Sequence, residues 1–195
     1  MKHFHLVVVV MAALAATACQ TVPPMQKLPE ISFTSQRPFQ LNVGQLEIVS
    51  EYAAPGRSPN IEHLMPVSPE AAIQRWAQDR LRPMGKTGLA RVVIRDAKVV
   101  EVPLAIDKGV SGSFKKEQEY RYDAALDVAV QILDARQMVI GEALANATRS
   151  RTVPEGLSIN QRDRIWWEIT DALSRDIDEQ LTPLIRGYLN RWVIQ

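Results

Sequence analysis

The chain has few of the residues that most often carry metal and nucleophilic chemistry. Among its 195 residues it contains one cysteine, Cys19, and three histidines, two of them within the first five positions. A single cysteine cannot form an intrachain disulfide, and a zinc site needs a cluster of cysteine and histidine ligands. His63 lies in a proline-rich stretch, where a solvated side chain is expected. The sequence therefore predicts no metal site and no disulfide.

Motifs for phosphate binding and for hydrolysis are also missing. Residues 109–112 contain two glycines but lack the lysine and the helix start of a phosphate-binding loop, and no G-x-S-x-G motif occurs. We therefore expect no catalytic residues and no cofactor, and a protein that is not an enzyme. A pair of distant carboxylates that meet in space would leave no local motif and stays open as an alternative.

Neither sign of charge dominates, and long apolar runs are absent. The chain has 23 basic and 22 acidic residues. Without a basic surplus the composition gives no indication of nucleic-acid binding, and without an acidic surplus it does not indicate a solvated, disordered chain. No stretch reaches the roughly 20 apolar residues that a membrane-spanning helix needs. The chain is long enough for one domain with its own hydrophobic core.

The first 18 residues have the three parts of a secretory signal peptide. Lys2 supplies a positive charge, residues 6–14 form a short apolar run, and small residues follow it. We expect cleavage before Cys19, which removes residues 1–18 and leaves 177 residues with equal numbers of basic and acidic side chains.

Residues 16–19, Ala-Thr-Ala-Cys, resemble the lipobox of bacterial lipoproteins, although Ala16 stands where leucine is usual. The resemblance implies that the Cys19 thiol receives a diacylglycerol and that the new amine is acylated, with fatty acids such as palmitate. Several acyl chains on one residue anchor a protein permanently. Gln20 replaces the aspartate that retains such proteins in the inner membrane. The resemblance therefore implies an outer-membrane lipoprotein that faces the periplasm; the alternative is a secreted protein with a free thiol.

A proline-rich segment is predicted to act as a tether in front of a single domain. Residues 19–38, the lipidated N-terminus, contain four prolines among polar residues, a composition that favours an extended spacer. We expect residues 39–195 to form a single domain. A docked strand at residues 31–33 is the alternative for the end of the tether.

Hydrophobic periodicity predicts four strands and two helices in the domain. Apolar residues alternate over residues 39–52, 89–104, 120–134 and 138–152, and recur at helical spacing over 68–82 and 158–189. Ser68 and Ser158 are the expected helix caps, the second within a capping box with Gln161. Gly44 lies at a shift of phase that indicates a bulge.

The order strand, helix, three strands, helix predicts an α+β two-layer sandwich, with a short and a long helix on one face of a mainly antiparallel sheet. In the last strand Gly141, Ala143, Ala145 and Ala147 share one parity, which leaves room for a helix to approach closely. Pro183 is expected to kink or divide the long helix. Acidic residues of that helix such as Asp178 mingle with basic ones, which is typical of a solvated face.

Residues 107–119 are predicted to form a glycine-containing loop in which Lys115 and Lys116 follow Phe114. An aromatic ring beside lysines suits contact with anionic lipid or with a lipopolysaccharide phosphate. The alternative is an ordinary hairpin loop whose Phe114 folds back on the sheet.

Trp167 follows Trp166 in the long helix, and adjacent helical residues point about 100° apart. If Trp166 joins the core, Trp167 points away from it and is either a partner-binding anchor or packs against the tether or the loop 53–66. Arg149 and Arg151, with two arginines of an earlier strand, form a basic patch or, as we expect, a set of surface salt bridges.

Taken together, the lipobox, the proline-rich tether and the small α+β domain resemble the small envelope lipoproteins of Gram-negative bacteria. Residues 65–70, 149–155 and 164–168 are similar to segments of proteobacterial lipoproteins, and the topology resembles auxiliary lipoproteins of envelope lipid transport and of the lipopolysaccharide translocon. The resemblance implies a non-enzymatic accessory subunit with an envelope protein partner. The alternative is a binding module that holds a lipid or small molecule in an apolar pocket between the sheet and the long helix, and an envelope hydrolase is a third hypothesis.

Overall fold

A long antiparallel ribbon forms the centre of the sheet. The computed structural model describes residues 27–104 and 118–194. Strands β6 (Gln118–Leu133) and β7 (Val139–Pro154) have 16 residues each and pair along their whole length. Asp134 closes the turn between them, because its carboxylate accepts hydrogen bonds from the backbone N–H groups of Arg136 and Met138. The predicted hairpin is confirmed.

The rest of the sheet is built along the other edge of β6. Strands β4 (Leu89–Asp96) and β5 (Val99–Pro103) follow each other and both pair antiparallel with β6. Strand β2 (Gln45–Ser50) pairs parallel with β4. The chain between β2 and β4 contains the first helix, so these elements form a strand–helix–strand crossover, which parallel pairing requires.

The predicted strand over residues 39–52 is two strands. Strand β1 (Phe39–Leu41) pairs parallel with β3 (Leu81–Pro83) in a separate small sheet, and only β2 joins the main sheet. Gly44 lies between β1 and β2, and a Cβ atom there would lie 2.9 Å from the carbonyl oxygen of Lys86. The expected bulge is therefore wrong: the phase shift marks the point where the chain leaves one sheet for another.

Both helices begin at the expected caps. Helix α1 (Pro69–Arg80) starts at Ser68, whose hydroxyl accepts from the Ala71 N–H. Helix α2 (Ile159–Tyr188) starts with the predicted capping box of Ser158 and Gln161. It continues through Pro183 without dividing; the proline is exposed, and Leu181 and Ile185 on either side of it are buried. Among the described residues no helix is both long and apolar enough to cross a bilayer.

The core fills the space between the helices and the sheet, which confirms the α+β two-layer sandwich. Trp76, at the centre of α1, is completely buried. Ala143, Ala145 and Ala147 of β7 are buried beneath α2, and a Cβ atom on Gly141 would lie 2.6 Å from the Trp192 ring. The small inner face of β7 therefore allows the close approach that the sequence indicates.

The core also includes part of the predicted tether. Ile31 is 3 % exposed and Phe33 is 1 % exposed, and both belong to the main hydrophobic cluster. The domain therefore begins before Phe39, because these two apolar side chains bury against the helices. They do so without forming a strand.

Candidate functional site

Most of the residues that the sequence marks as candidate sites lie outside the described residues. These are Cys19, the predicted lipidation site, and Phe114, Lys115 and Lys116, the predicted lipid-contact residues. Their roles stay predictions. Trp167 is the candidate whose position the structure gives.

Trp167 contacts the N-terminal segment. Its indole N–H donates a hydrogen bond of 2.8 Å to the carbonyl oxygen of Pro29, and its ring is half-buried against the core. This contact corresponds to one of the two predicted alternatives, packing against the tether. A role as a partner-binding anchor stays a prediction.

Residues 29–39, which we call the strap, lie along the groove between α1 and α2. On the α1 side, Glu30 pairs with Arg75 and the Phe33 N–H donates to Asp79 at 2.8 Å. On the α2 side, the guanidinium of Arg175 lies 5.9 Å from the centre of the Phe33 ring. The strap runs in the same direction as α2, because Pro29 meets Trp167, Phe33 meets Arg175 and Phe39 meets Arg186.

A buried charge cluster holds the two helices and the strap together. The carboxylate of Asp178, 3 % exposed, accepts hydrogen bonds from the Arg80 guanidinium at 2.8 Å and from the Trp76 indole at 2.7 Å. Arg80 also donates to the Thr182 hydroxyl and to the carbonyl oxygen of Arg37 in the strap. The expectation that Asp178 lies on a solvated face is wrong, because α1 and the strap cover this side of α2.

Two further carboxylates are buried in structural roles. Glu62 accepts from the Tyr52 hydroxyl at 2.6 Å and from the Val99 N–H at 3.2 Å, which ties the loop after β2 to the start of β5. Burial, and then the Glu62 carboxylate, raise the pKa of Tyr52 well above its usual value, so its hydroxyl remains a donor. Asp79 binds the strap. Since Glu62 and Asp79 each accept hydrogen bonds from other parts of the domain, both carboxylates have structural roles.

A cavity opens at the end of the sheet where α2 begins. Its volume is about 360 Å³. Its lining comes from β5, β6, the end of β7 and the first turns of α2: Glu101, Glu119, Tyr120, Tyr122, Val153, Pro154, Gly156, Leu157 and Arg162. We call it the end cavity. Sequence reasoning missed it, because its charged residues come from three separate segments and share no motif.

Aromatic rings hold the charged groups of the end cavity in place. The rings of Tyr122 and Trp166 meet edge to face, with centroids 5.9 Å apart, and the Arg162 guanidinium lies 5.7 Å from the centre of the Trp166 ring. Burial, and then Glu101, raise the pKa of Tyr122 to about 12, and the charge of Glu119 raises the pKa of Tyr120. Both phenols are therefore protonated at neutral pH, and Tyr122 is 2 % exposed.

A second, wider cleft of about 590 Å³ lies at the opposite end of the sheet, between the β6–β7 turn and Trp192. Between the two ends the facing residues of the sheet and α2 are buried against each other. The predicted apolar pocket between sheet and helix is therefore absent from the described part of the chain, since apolar side chains fill that space.

The expected basic patch is a set of surface ion pairs, which confirms the interpretation that we preferred. Arg149 pairs with Asp176, Arg151 with Glu168, Arg91 with Glu47, and Arg95 with Glu142. His63 is exposed in a short 3-10 helix. Within residues 27–104 and 118–194 no group of three histidine, cysteine or acidic side chains is placed to bind a metal.

Comparison with known proteins gives structural likenesses only. No family model matches the chain, and no curated protein matches it. A minor lipoprotein from Acinetobacter baumannii is 15 % identical, with a TM-score of 0.37 over 80 % of this chain and 98 % of that one. The rare lipoprotein B from Shewanella oneidensis is 9 % identical, with a TM-score of 0.38 over 75 % of this chain and 98 % of that one.

A homolog of neuraminyllactose-binding hemagglutinin from Helicobacter pylori is 7 % identical, with a TM-score of 0.43 over 79 % of this chain and 89 % of that one. With TM-scores and identities this low, the likenesses establish neither a shared family nor a shared function.

Replacing Asp178 with alanine should destabilise the domain severely. The change leaves the Arg80 guanidinium buried without its counter-ion, which typically costs about 3–5 kcal/mol. Asp176→Ala is the matched control, since this aspartate lies two residues away and pairs with Arg149 near the surface, where an ion pair contributes less than about 1 kcal/mol. Urea unfolding of the two variants measures both values; equal, small losses would contradict the structural role of the cluster.

Proposed function

We propose that the protein is a non-enzymatic lipoprotein, anchored through lipid on Cys19 in the outer membrane and facing the periplasm, where it acts as an accessory subunit of an envelope assembly or lipid-transport complex. The signal peptide and lipobox motivate the anchor. The observation that supports the proposal most directly is the docked strap, because it brings the N-terminal segment to one end of the domain.

The strap leaves the domain near the N-terminal end of α2. Its first fixed contact is between Pro29 and Trp167, one residue from Trp166 beside the end cavity. The chain between Cys19 and Pro29 is ten residues long and spans at most about 36 Å when fully extended. A lipid on Cys19 would therefore hold the end-cavity side of the domain close to the membrane and leave the opposite side free.

The opposite side offers a surface for a protein partner. β7 pairs with β6 alone and is an edge strand of the described sheet. Its C-terminal half is engaged by α2, through the ion pairs of Arg149 and Arg151 and a bond from Gln180 to the Asn146 carbonyl. Apolar side chains are exposed around its N-terminal half: Met138, Val139, Ile140 and Leu144. Exposed apolar residues on a strand edge favour pairing with another chain.

A lipid- or small-molecule-binding module is the second candidate. The end cavity favours it, since its volume falls in the range of about 300–1,000 Å³ that is usual for ligand sites. The two functions are compatible in one protein, because the cavity and the exposed part of β7 lie at opposite ends of the sheet.

Replacing Cys19 with alanine should release the protein from the membrane. The variant keeps a small-residue cleavage site but loses the thiol that carries the lipid, so we expect it in the soluble periplasmic fraction. Gln20→Asp is the matched control for sorting, and we expect it in the inner membrane with its lipid intact. Cell fractionation with mass spectrometry of the N-terminus measures both outcomes. Membrane retention of the alanine variant would contradict the lipid anchor.

A photoreactive residue at Val139 should capture a discrete envelope protein in intact cells. The side chain is 48 % exposed at the apolar part of the β7 edge. The same probe at Gln74, exposed on α1, is the control and should give no adduct of that size. Absence of a protein adduct at Val139, with the variant present at normal levels, would contradict the partner surface proposed on β7.

A further inference from the structure

The end cavity is lined by side chains of both charge signs that do not form ion pairs with each other. Glu101 and Glu119 line it together with Arg162. The nine ion pairs within residues 27–104 and 118–194 use other side chains. The charge of Arg162 nevertheless acts on both Tyr120 and Tyr122, and Glu101 acts on the same two phenols. The two glutamates, the two tyrosines and Arg162 therefore line the same small cavity.

A ligand of one charge sign fits this volume poorly. A simple anion would meet Arg162 but also two carboxylates, and a simple cation would meet the carboxylates but also Arg162. Like charges brought together in this way cost free energy and reduce affinity. A small zwitterion, with an anionic and a cationic group, can place each charge beside its opposite.

The side chains also indicate which anion and which cation suit the cavity. A guanidinium binds a phosphate through two parallel hydrogen bonds, and the Arg162 guanidinium lies over the Trp166 ring at the cavity. Carboxylates and phenol rings together attract an ammonium group, by charge and by the negative face of the ring. Tyr120, which is partly exposed, supplies a neutral hydroxyl donor for a remaining oxygen of the ligand, whereas the buried Tyr122 lies beside Glu101.

We propose that the end cavity binds the phosphoethanolamine headgroup, with Arg162 on the phosphate and with Glu101 and Glu119 around the ammonium. The headgroup occurs on membrane phospholipid and in soluble form. Phospholipid as its source rests on the proposed function, since the lipid anchor would bring this end of the domain to the membrane surface. Headgroup recognition itself rests on the cavity alone.

The test is calorimetric titration of the full chain, in maltoside detergent, with glycerophosphoethanolamine. We expect saturable binding with a dissociation constant in the millimolar range or tighter, and about tenfold weaker binding for Arg162→Gln and for the double variant Glu101→Gln/Glu119→Gln. Glycerol 3-phosphate, which lacks the ammonium, should bind at least about tenfold more weakly to the native chain. Arg136→Gln, at the far end of the sheet, is the matched control and should bind like the native chain.

Several outcomes would overturn the proposal. These are no saturable heat up to about 10 mM headgroup, equal affinity for glycerol 3-phosphate, or unchanged affinity in the Arg162 and glutamate variants. Circular dichroism confirms that each variant is folded, and Arg162→Lys, which keeps the charge, should recover part of the binding.

A short-chain phosphatidylethanolamine distinguishes the two sources of the headgroup. Tighter binding than the free headgroup indicates a membrane lipid, and equal binding indicates a soluble ligand; both support headgroup recognition. Failure of these titrations leaves the Cys19→Ala fractionation unaffected, so the headgroup site and the lipid anchor can fail separately.

Discussion

The carboxylate of Asp178 lies where both helices and the strap meet, and the arrangement of the domain depends on its neutralisation. Arg80 and Trp76 of α1 donate to it from one side, and the same Arg80 binds the Arg37 carbonyl of the strap and stacks over the Phe39 ring at 4.9 Å. One buried ion pair therefore determines how α1 sits on α2 and where the strap lies. A buried pair of this kind adds little net free energy over apolar packing, but the loss of one partner is expensive. It therefore favours one arrangement of these three segments over others.

A fixed strap makes the two ends of the sheet different. The chain leaves the domain beside the end cavity, while the β6–β7 turn and the exposed apolar residues of β7 lie at the other end. In a protein held by its N-terminus, one end is then close to the anchor and the other extends away from it. The headgroup site proposed at the near end and the partner surface proposed at the far end are both compatible with this geometry.

The sequence predicts the local structure well and the long-range contacts poorly. The capping box of Ser158, the hairpin at Asp134 and the alternation along β6 depend on neighbouring residues, so their patterns are visible in the sequence. The parallel pairing of β2 with β4 joins segments about 40 residues apart and leaves no local pattern. The strap is similar, because its proline content indicates a spacer while its bonds reach Asp79 and Trp167.

The buried charge cluster and the end cavity are less predictable still. Asp178 has the spacing of a surface residue among charged neighbours, and only the position of α1 makes it buried. Glu101, Glu119 and Arg162 come together because β5 ends, and β6 and α2 begin, at the same edge of the fold. Cavities assembled from strand ends and a helix start depend on topology, and a single sequence indicates topology only through its local elements.

One measurement directly tests the proposed orientation of the domain on the membrane. If Cys19 is lipidated, a cysteine introduced at Glu155 or at Arg136 is the only free thiol, and each carries a fluorophore in the protein reconstituted into vesicles with a lipid quencher. Glu155 lies beside the end cavity and Arg136 at the far turn, separated by β7, whose 16 residues span about 50 Å. An end cavity that faces the membrane predicts strong quenching at Glu155 and weak quenching at Arg136. Equal quenching at both sites, or stronger quenching at Arg136, would contradict it.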